Sequence, residues 1–295
     1  MAIVLSELTN EDTPQVAVLI RQHLAMIPPF IIPSHDEIIS IIRDPMHYHR
    51  LWYPETVPDS YRTPCFVAKT NETVVAAVQL LLPDDTSSPA AMFWMVGLEE
   101  YQAHVLEFIN EVISLLREEN RSLLQSTRNP FAPGWQGIAD CWTHLLTPFN
   151  QADCKLTSEQ WVMYWCNEDK MTASERPYDY TLTTKSQNQR DFELLMSRDS
   201  QQVAEADIWF PAPACGSLME AGVADLEYIK VDGAHRRKGL GGAMLTAAMQ
   251  EACKRNFRTL ILWTEEDNEA MKNLAEKSGF TRGPVLNWLT LDLAN

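Results

Sequence analysis

The chain has 295 residues, of which 45% are hydrophobic and 22% are charged, close to the usage of ordinary globular proteins. This composition excludes a disordered or low-complexity protein, and the length favours two domains. There are 40 acidic against 24 basic residues, so the formal net charge is -16. Such a charge disfavours nucleic acid and anionic lipid as partners and favours a cationic partner.

The compartment is also indicated by simple patterns. No run approaches 18 apolar residues, and the N-terminus lacks a basic region followed by a long apolar stretch. We therefore expect a cytoplasmic protein with no membrane partner, either a monomer or a homodimer. The six cysteines are scattered without a Cys-x-x-Cys pair, so we predict neither a disulfide framework nor a metal site.

Hydrophobic periodicity in the first half of the chain predicts a mixture of helices and strands. The predicted helices cover residues 14–26, 34–43 and 101–119. The predicted strands cover residues 65–69, 74–82, 91–96 and 122–127. The order of these elements indicates a mixed α and β domain.

Residues 167–177 are polar, lack periodicity and end in proline, which is typical of a linker. We therefore predict two domains, at residues 1–171 and 172–295. In the second half, strands are predicted over residues 192–196, 225–231, 259–264 and 286–293, and helices over residues 240–254 and 268–277.

The two halves resemble each other in part. Aligning the polar turns before two strands matches Arg121 with Arg258, an offset of 258 − 121 = 137, and the strand ends Val96 and Val231 give 231 − 96 = 135. These similar offsets predict a duplicated fold. Residues 97–104 of the first copy have no glycine pair and two acidic residues, so we expect no phosphate site there.

The segment that carries most chemical information joins a predicted strand to a predicted helix and runs Arg236-Arg237-Lys238-Gly239-Leu240-Gly241-Gly242. The first N–H groups of a helix have no partner within it, and the helix dipole is positive at that end. Glycines let a phosphate approach the backbone, and the three cations add charged donors. A Gly-x-Gly is also typical of a tight turn, but this context favours a phosphate site.

Two common phosphate-binding patterns do not fit this segment. A P-loop needs Gly-x-x-x-x-Gly-Lys-Ser/Thr, a spacing that the sequence lacks. A dinucleotide fold needs Gly-x-Gly-x-x-Gly/Ala early in a βαβ unit, whereas here the sixth position is Met244 and the segment comes late in the chain. Dinucleotide binding is therefore poorly supported.

A third pattern fits. Residues 231–241 resemble the coenzyme A loop of the GNAT superfamily of N-acetyltransferases, Val-x-Pro-x-x-Arg-x-x-Gly-x-Gly, with Gly233 in place of proline. Residues 268–280 are similar to the family's Asn-x-Ala-x-x-x-Leu-Tyr-x-Lys-x-Gly-Phe helix. The resemblance implies an α/β (α+β) protein of two GNAT-like domains, each a mixed, largely antiparallel central sheet flanked by helices. The second domain would bind acetyl-coenzyme A, and the degenerate first would have an acceptor-site or structural role.

The resemblance also assigns residues to the cofactor. The backbone before the loop would pair with the pantetheine arm in a splayed gap between strands, and the loop would hold the pyrophosphate. Asn268 would contact the cofactor, although an N-cap role explains it equally well. The implied coenzyme A residues are Ile229, Lys230, Val231, Arg236, Arg237, Lys238, Gly239, Leu240, Gly241, Gly242 and Asn268.

An amine acceptor must lose a proton before it attacks a thioester, and family members often carry a carboxylate for this step on the strand before the loop. Glu227 and Asp225 are the candidates, two residues apart and hence expected on one face of the strand. Ala275 occupies the position of the family's usual tyrosine acid, which leaves the general acid open. We predict direct transfer of an acetyl group to the primary amine of a small molecule or peptide. The alternative is a non-catalytic coenzyme A-binding module.

Overall fold

The computed structural model describes residues 3–27, 32–47, 58–127, 129–131, 137–152, 155–177, 179–186, 191–210 and 221–293. The contacts between residues divide the chain into two compact units. The first unit combines Met1–Gln160 with Pro284–Asn295, and the second unit is Trp161–Gly283. No helix in the described ranges is both long and apolar enough to span a membrane.

The first unit is a sheet with helices packed against it. Its strands are β1 (Val4–Glu7), β2 (Tyr61–Arg62), β3 (Cys65–Thr70), β4 (Thr73–Pro83), β5 (Ala90–Gly97), β6 (Leu123–Ser126) and β7 (Ile138–Ala139). Its helices are α1 (Thr13–Ala25), α2 (His35–Arg43), α3 (Gln102–Glu118) and α4 (Thr143–Gln151). Helix α3 buries Val105, Phe108, Val112 and Leu116, the three-to-four-residue spacing that places side chains on one face.

The second unit repeats this arrangement. Its strands are β8 (Lys155–Asn167), β9 (Thr181–Ser186), β10 (Asp191–Arg198), β11 (Gln201–Trp209), β12 (Val223–Val231) and β13 (Thr259–Glu265). Its helices are α5 (Leu240–Lys254) and α6 (Glu269–Lys277). The last strand of the chain, β14 (Thr281–Asp292), lies mostly in the first unit. Helix α5 is buried over most of its length and contacts β10, β11, β12 and β13.

Sheet topology shows the duplication more clearly than the sequence does. The first unit has the order β1-β3-β4-β5-β6-β14, and the second has β8-β13-β12-β11-β10-β9. In each unit one parallel pair, β5–β6 or β12–β13, is joined by a helix, and its neighbours in the sheet pair antiparallel. The predicted fold class is therefore confirmed.

The boundaries of the compact units differ from the predicted division between residues 171 and 172. That division concerned domains with separate roles, and it stays a prediction. Strand β8 precedes that division, yet its residues 161–167 pair with β13. The C-terminal strand pairs with β6, through Leu291 opposite Leu124 for example, so residues 284–295 belong with the first unit. The predicted linker is not free either: the backbone N–H of Thr172 donates to the carbonyl oxygen of Ser278.

A pair of buried histidines lies in the first unit. The His23 Nδ1–H donates to the carbonyl oxygen of Leu19 at 2.9 Å, so its Nε2 is left to accept from the Nε2–H of His144 at 2.8 Å. The ring of Trp142 packs edge-on against His23. Burial lowers the pKa of His23 to about 4. Burial also lowers the pKa of His144, and the negative charge of Glu99 offsets part of that shift.

This pair predicts a specific loss of stability in acid. Because the pKa of folded His23 lies below the unfolded value of 6.5, its contribution is complete above pH 6.5 and is lost as the pH falls toward 4. The free energy of unfolding should fall by about 3 kcal/mol over this range through His23 alone. Denaturant titrations at several pH values should show a flatter slope for His23→Gln, whereas the partly exposed control His104→Gln should keep the wild-type slope. Equal slopes in all three proteins would contradict this assignment.

Candidate functional site

Two neighbouring strands of the second unit separate along their length. Strand β12 pairs with β13 from Val223 opposite Thr259 to Leu226 opposite Leu262, and no later residue of β12 pairs with β13. On its other side β12 remains paired with β11 as far as Val231. Residues 227–231 therefore have one backbone edge that β13 does not use, which is the edge that an extended ligand could pair with.

A bulge lies where this separation begins. Tyr228 pairs with Asp207 and Leu226 pairs with Ile208, so Glu227 is an extra residue between two consecutive pairs. A bulge interrupts the alternation of side chains, so a spacing of two no longer places Glu227 and Asp225 on one face. Asp225 is 7% exposed, whereas Glu227 is exposed. The structure thus separates the two predicted carboxylates and leaves Glu227 accessible.

The loop after β12 presents a run of backbone donors. Residues 233–235 form one turn of 3-10 helix, and α5 begins at Leu240 after Gly239. Both Arg237 and Gly239 have positive φ, 63° and 80°, which turns the backbone sharply around Lys238. In the described part of the chain, no backbone or side-chain group accepts from the N–H groups of residues 237–242. Free amides at the start of a 15-residue helix form a site for an anion.

The three cations of the loop are exposed, and no carboxylate in the described ranges forms an ion pair with Arg236, Arg237 or Lys238. The Arg236 Nε–H donates to the carbonyl oxygen of Val231 at 3.0 Å, which fixes its guanidinium beside the end of β12. Three cations without an ion pair in the described part of the chain, beside helix amides that lack an acceptor there, favour an anion.

The loop glycines have different structural reasons. A Cβ on Gly241 would lie 2.8 Å from Cδ2 of Leu274, and a Cβ on Gly242 would lie 2.6 Å from Oγ of Ser174. These two glycines therefore allow α6 and the segment after β8 to pack against the first turn of α5. From the sequence, we predicted that Gly241 lets a phosphate approach the backbone, and that role stays a prediction. The packing against Leu274 is a second reason why a larger residue does not fit at this position.

The remaining loop glycines offer a matched pair for a prediction. Gly239 has open space around its missing Cβ, but its φ of 80° is unfavourable for any other residue. Gly233 also has open space and no such backbone strain. Gly239→Ala should lower the free energy of unfolding by about 1 kcal/mol and weaken anion binding at the loop, whereas Gly233→Ala should change neither. Denaturant titration of both variants checks this, and equal stabilities would contradict the strained geometry.

The second sequence motif is confirmed as a capped helix. The Asn268 Oδ1 accepts from the backbone N–H of Met271 at 3.1 Å, so Asn268 is the N-cap of α6, and its cofactor contact stays a prediction. Ala275 is fully buried. Beside it, the Tyr164 hydroxyl of β8 donates to Glu276 at 3.1 Å. Burial and then Glu276 raise the pKa of Tyr164 to about 12, so this phenol stays protonated at neutral pH.

One contact of the loop has no counterpart among the sequence predictions. The Tyr180 hydroxyl lies 3.1 Å from Nδ1 of His235, and the two rings meet edge to face at 5.9 Å. Tyr180 is 3% exposed, and Arg198 lies against its ring, with 5.6 Å from Cζ to the centroid. The two residues of the hydrogen bond are 55 positions apart, so no spacing rule could have found them.

Ser174 was also missed, because its segment was predicted as a linker. Its backbone N–H donates to Oγ1 of Thr246 at 2.9 Å, and its side chain lies where Gly242 lacks a Cβ. The glycine itself was the signal available in the sequence, since a glycine inside the first turn of a helix indicates a close neighbour.

Comparison with known proteins agrees with this geometry. The model of the acetyltransferase (GNAT) family matches residues 158–280. A search of curated proteins found no match. Among solved structures, a tandem GNAT protein from the clavulanic acid biosynthesis pathway is 14% identical, with 99% of this chain and 98% of that chain covered and a TM-score of 0.64.

Two further solved structures are similar over almost the whole chain. A GCN5-related N-acetyltransferase from Sphaerobacter thermophilus is 12% identical over 99% of this chain and 96% of its own, with a TM-score of 0.65. The glucosamine N-acetyltransferase region of a fungal multi-domain β-N-acetylglucosaminidase is 9% identical over 98% of this chain and 38% of its own, with a TM-score of 0.64. At such identities the likeness shows the fold. The predicted resemblance is confirmed: residues 158–280 match the acetyltransferase (GNAT) family, and the fold is similar to that of a tandem GNAT protein over 99% of the chain.

Proposed function

We propose that the protein is an N-acetyltransferase that moves an acetyl group from acetyl-coenzyme A directly to a primary amine. The observation that carries this proposal is the combination of two features in one unit. A strand edge at residues 228–231 that does not pair with β13 leads directly into a loop whose amides and three cations have, respectively, no acceptor and no ion pair among the described residues.

Acetyl-coenzyme A has chemistry that fits both features. Its pyrophosphate is an anion for the amides of residues 237–242 and for Arg236, Arg237 and Lys238. Its pantetheine arm is an extended chain with two amides, which suits the open backbone edge of Ile229, Lys230 and Val231. Gly239, Leu240, Gly241 and Gly242 would supply the first amides of α5.

Glu227 is the proposed general base. It is exposed at the start of the strand gap, so water and an amine can reach it. Its carboxylate would take a proton, directly or through water, from the ammonium form of the acceptor. The neutral nitrogen would then attack the acetyl carbonyl carbon, the C–S bond would break, and the sulfur would depart with the bonding pair as a thiolate. The nitrogen would lose its remaining extra proton to water or to the thiolate, which leaves a neutral amide. Asp225 is the second candidate, although its burial restricts access.

The thiolate needs little assistance, because the pKa of a free thiol is near 8.5 and water can return the proton. The general acid is left open by Ala275, and Tyr164 is already engaged with Glu276. A small amine or a peptide amine fits the proposal equally. A net charge of -16 favours a cationic acceptor.

The rival function is a coenzyme A-binding module without catalysis, which Ala275 in place of the usual tyrosine favours. Calorimetric titration with acetyl-coenzyme A, followed by a panel of amines assayed for free thiol, separates the two. An acetyltransferase should bind the cofactor and release thiol with at least one class of amine. Binding without thiol release across small amines, amino sugars, amino acids and peptides would favour the module, and absence of binding would contradict both functions.

A further inference from the structure

The Tyr180–His235 contact attaches a buried residue to the cofactor loop, and the inference drawn from it rests on the proposed function. His235 ends the 3-10 turn that precedes Arg236, so it stands beside the cations and free amides of residues 236–242. The backbone of this turn is held by two bonds, from His235 N–H to the Asp232 carbonyl at 2.8 Å and from Arg236 N–H to the Gly233 carbonyl at 3.4 Å.

The contact between Tyr180 and His235 bears on where the proton of His235 lies. The Tyr180 hydroxyl oxygen lies 3.1 Å from Nδ1 of His235, within hydrogen-bond distance, and Arg198 packs over the Tyr180 ring with its Cζ 5.6 Å from the centroid. A phenol O–H can donate to an imidazole nitrogen only where that nitrogen carries no proton. A neutral imidazole that accepts at Nδ1 carries its proton on Nε2.

Charged neighbours hold Arg198 against this ring. Arg198 is ion-paired with Asp179 at 3.3 Å and with Asp199 at 3.7 Å. His235 is partly exposed, whereas Tyr180 is buried. The imidazole is therefore the solvent-accessible member of the hydrogen-bonded pair.

We infer that His235 is a further binding residue for the anionic part of acetyl-coenzyme A, with Nε2–H as its donor, and that Tyr180 is the positioning residue that fixes this tautomer and the orientation of the ring. Its neighbours in sequence, Arg236 to Lys238, are exposed cations. His235 instead supplies one donor whose direction is set from the interior of the unit.

Affinity measurements on the full chain test this inference. Calorimetric titration with acetyl-coenzyme A should give about 10-fold weaker binding for His235→Ala, since one hydrogen bond to a charged group is lost. His235→Gln, whose amide N–H₂ can take the place of Nε2–H, should keep most of the affinity. Tyr180→Phe should weaken binding several-fold and, because it acts through the imidazole, should add nothing when combined with His235→Ala.

The first unit offers a matched control. Tyr101 and His104 form a similar ring pair there, at 5.6 Å, and Tyr101→Phe and His104→Ala should leave the affinity unchanged. With an accepted amine, the site variants should raise KM for acetyl-coenzyme A and leave kcat unaltered at saturation. Wild-type affinity in His235→Ala, or additive effects of the two substitutions, would overturn the inference while the proposed function stands. A wild-type chain that binds no acetyl-coenzyme A would overturn both.

Discussion

Replacing Glu227 with glutamine should lower the turnover number about 100-fold with little change in the affinity for acetyl-coenzyme A. Glutamine keeps the shape of the side chain but cannot accept the proton of the acceptor. Glu227 is the bulged residue of β12 and is exposed, so the substitution should not disturb the fold. The rate of thiol release with an accepted amine should be measured across pH. We expect the wild-type rate to decline on the acid side and the Glu227→Gln variant to lose this decline.

Asp225→Asn is the matched comparison, two residues earlier on the same strand. Asp225 is 7% exposed and pairs with Trp209 on one side and Ile261 on the other. Its substitution should affect the free energy of unfolding more than turnover. If Asp225→Asn lowers turnover in a folded protein and Glu227→Gln does not, the base is Asp225. If neither alters the pH profile, the base lies outside this strand.

Reversing the charge of Lys238 should weaken acetyl-coenzyme A binding by about 2 kcal/mol or more, roughly 30-fold in Kd. Lys238 is exposed, and within the described ranges it has no ion pair to lose, so Lys238→Glu removes a ligand contact without breaking an internal one. It is a sharper test than a substitution of Gly241, which would also disturb the contact with Leu274.

The control for Lys238→Glu is Arg43→Glu, which makes the same change of charge at an exposed position of α2. Calorimetry at two salt concentrations should show that the wild-type affinity falls with added salt and that Lys238→Glu reduces this dependence. Equal affinities for both variants and the wild type would show that the phosphate groups bind elsewhere.

The sequence predicted the elements whose signal is local. Helix α3 carries a buried stripe at helical spacing, and β5 is a short apolar run, so periodicity located both. Strands β9 and β11 were missed because each mixes polar and small residues with few large apolar ones. The partner of β14 could not be predicted, because a period of two identifies a strand but not the strand beside it, here β6, more than 150 residues earlier.

The same division applies to the site. Arg236 to Gly242 were recognisable because the loop is contiguous, and Asn268 because an N-cap is a local signal. The bulge at Glu227 depends on how β12 pairs with β11, so the alternation rule placed Glu227 with Asp225 although the structure exposes one and buries the other. Tyr180 could not be predicted as part of the site, since only the folded chain brings it to His235.

The measurement that tests the account most directly is mass spectrometry of the acceptor after incubation with the wild-type chain and acetyl-coenzyme A, with free thiol quantified in the same sample. We expect an accepted amine to gain one acetyl group for each thiol released, and both products to fall together in Lys238→Glu and in Glu227→Gln. Thiol release without an acetylated amine, or acetylation that is unchanged in both variants, would contradict acetyl transfer at the loop of residues 236–242.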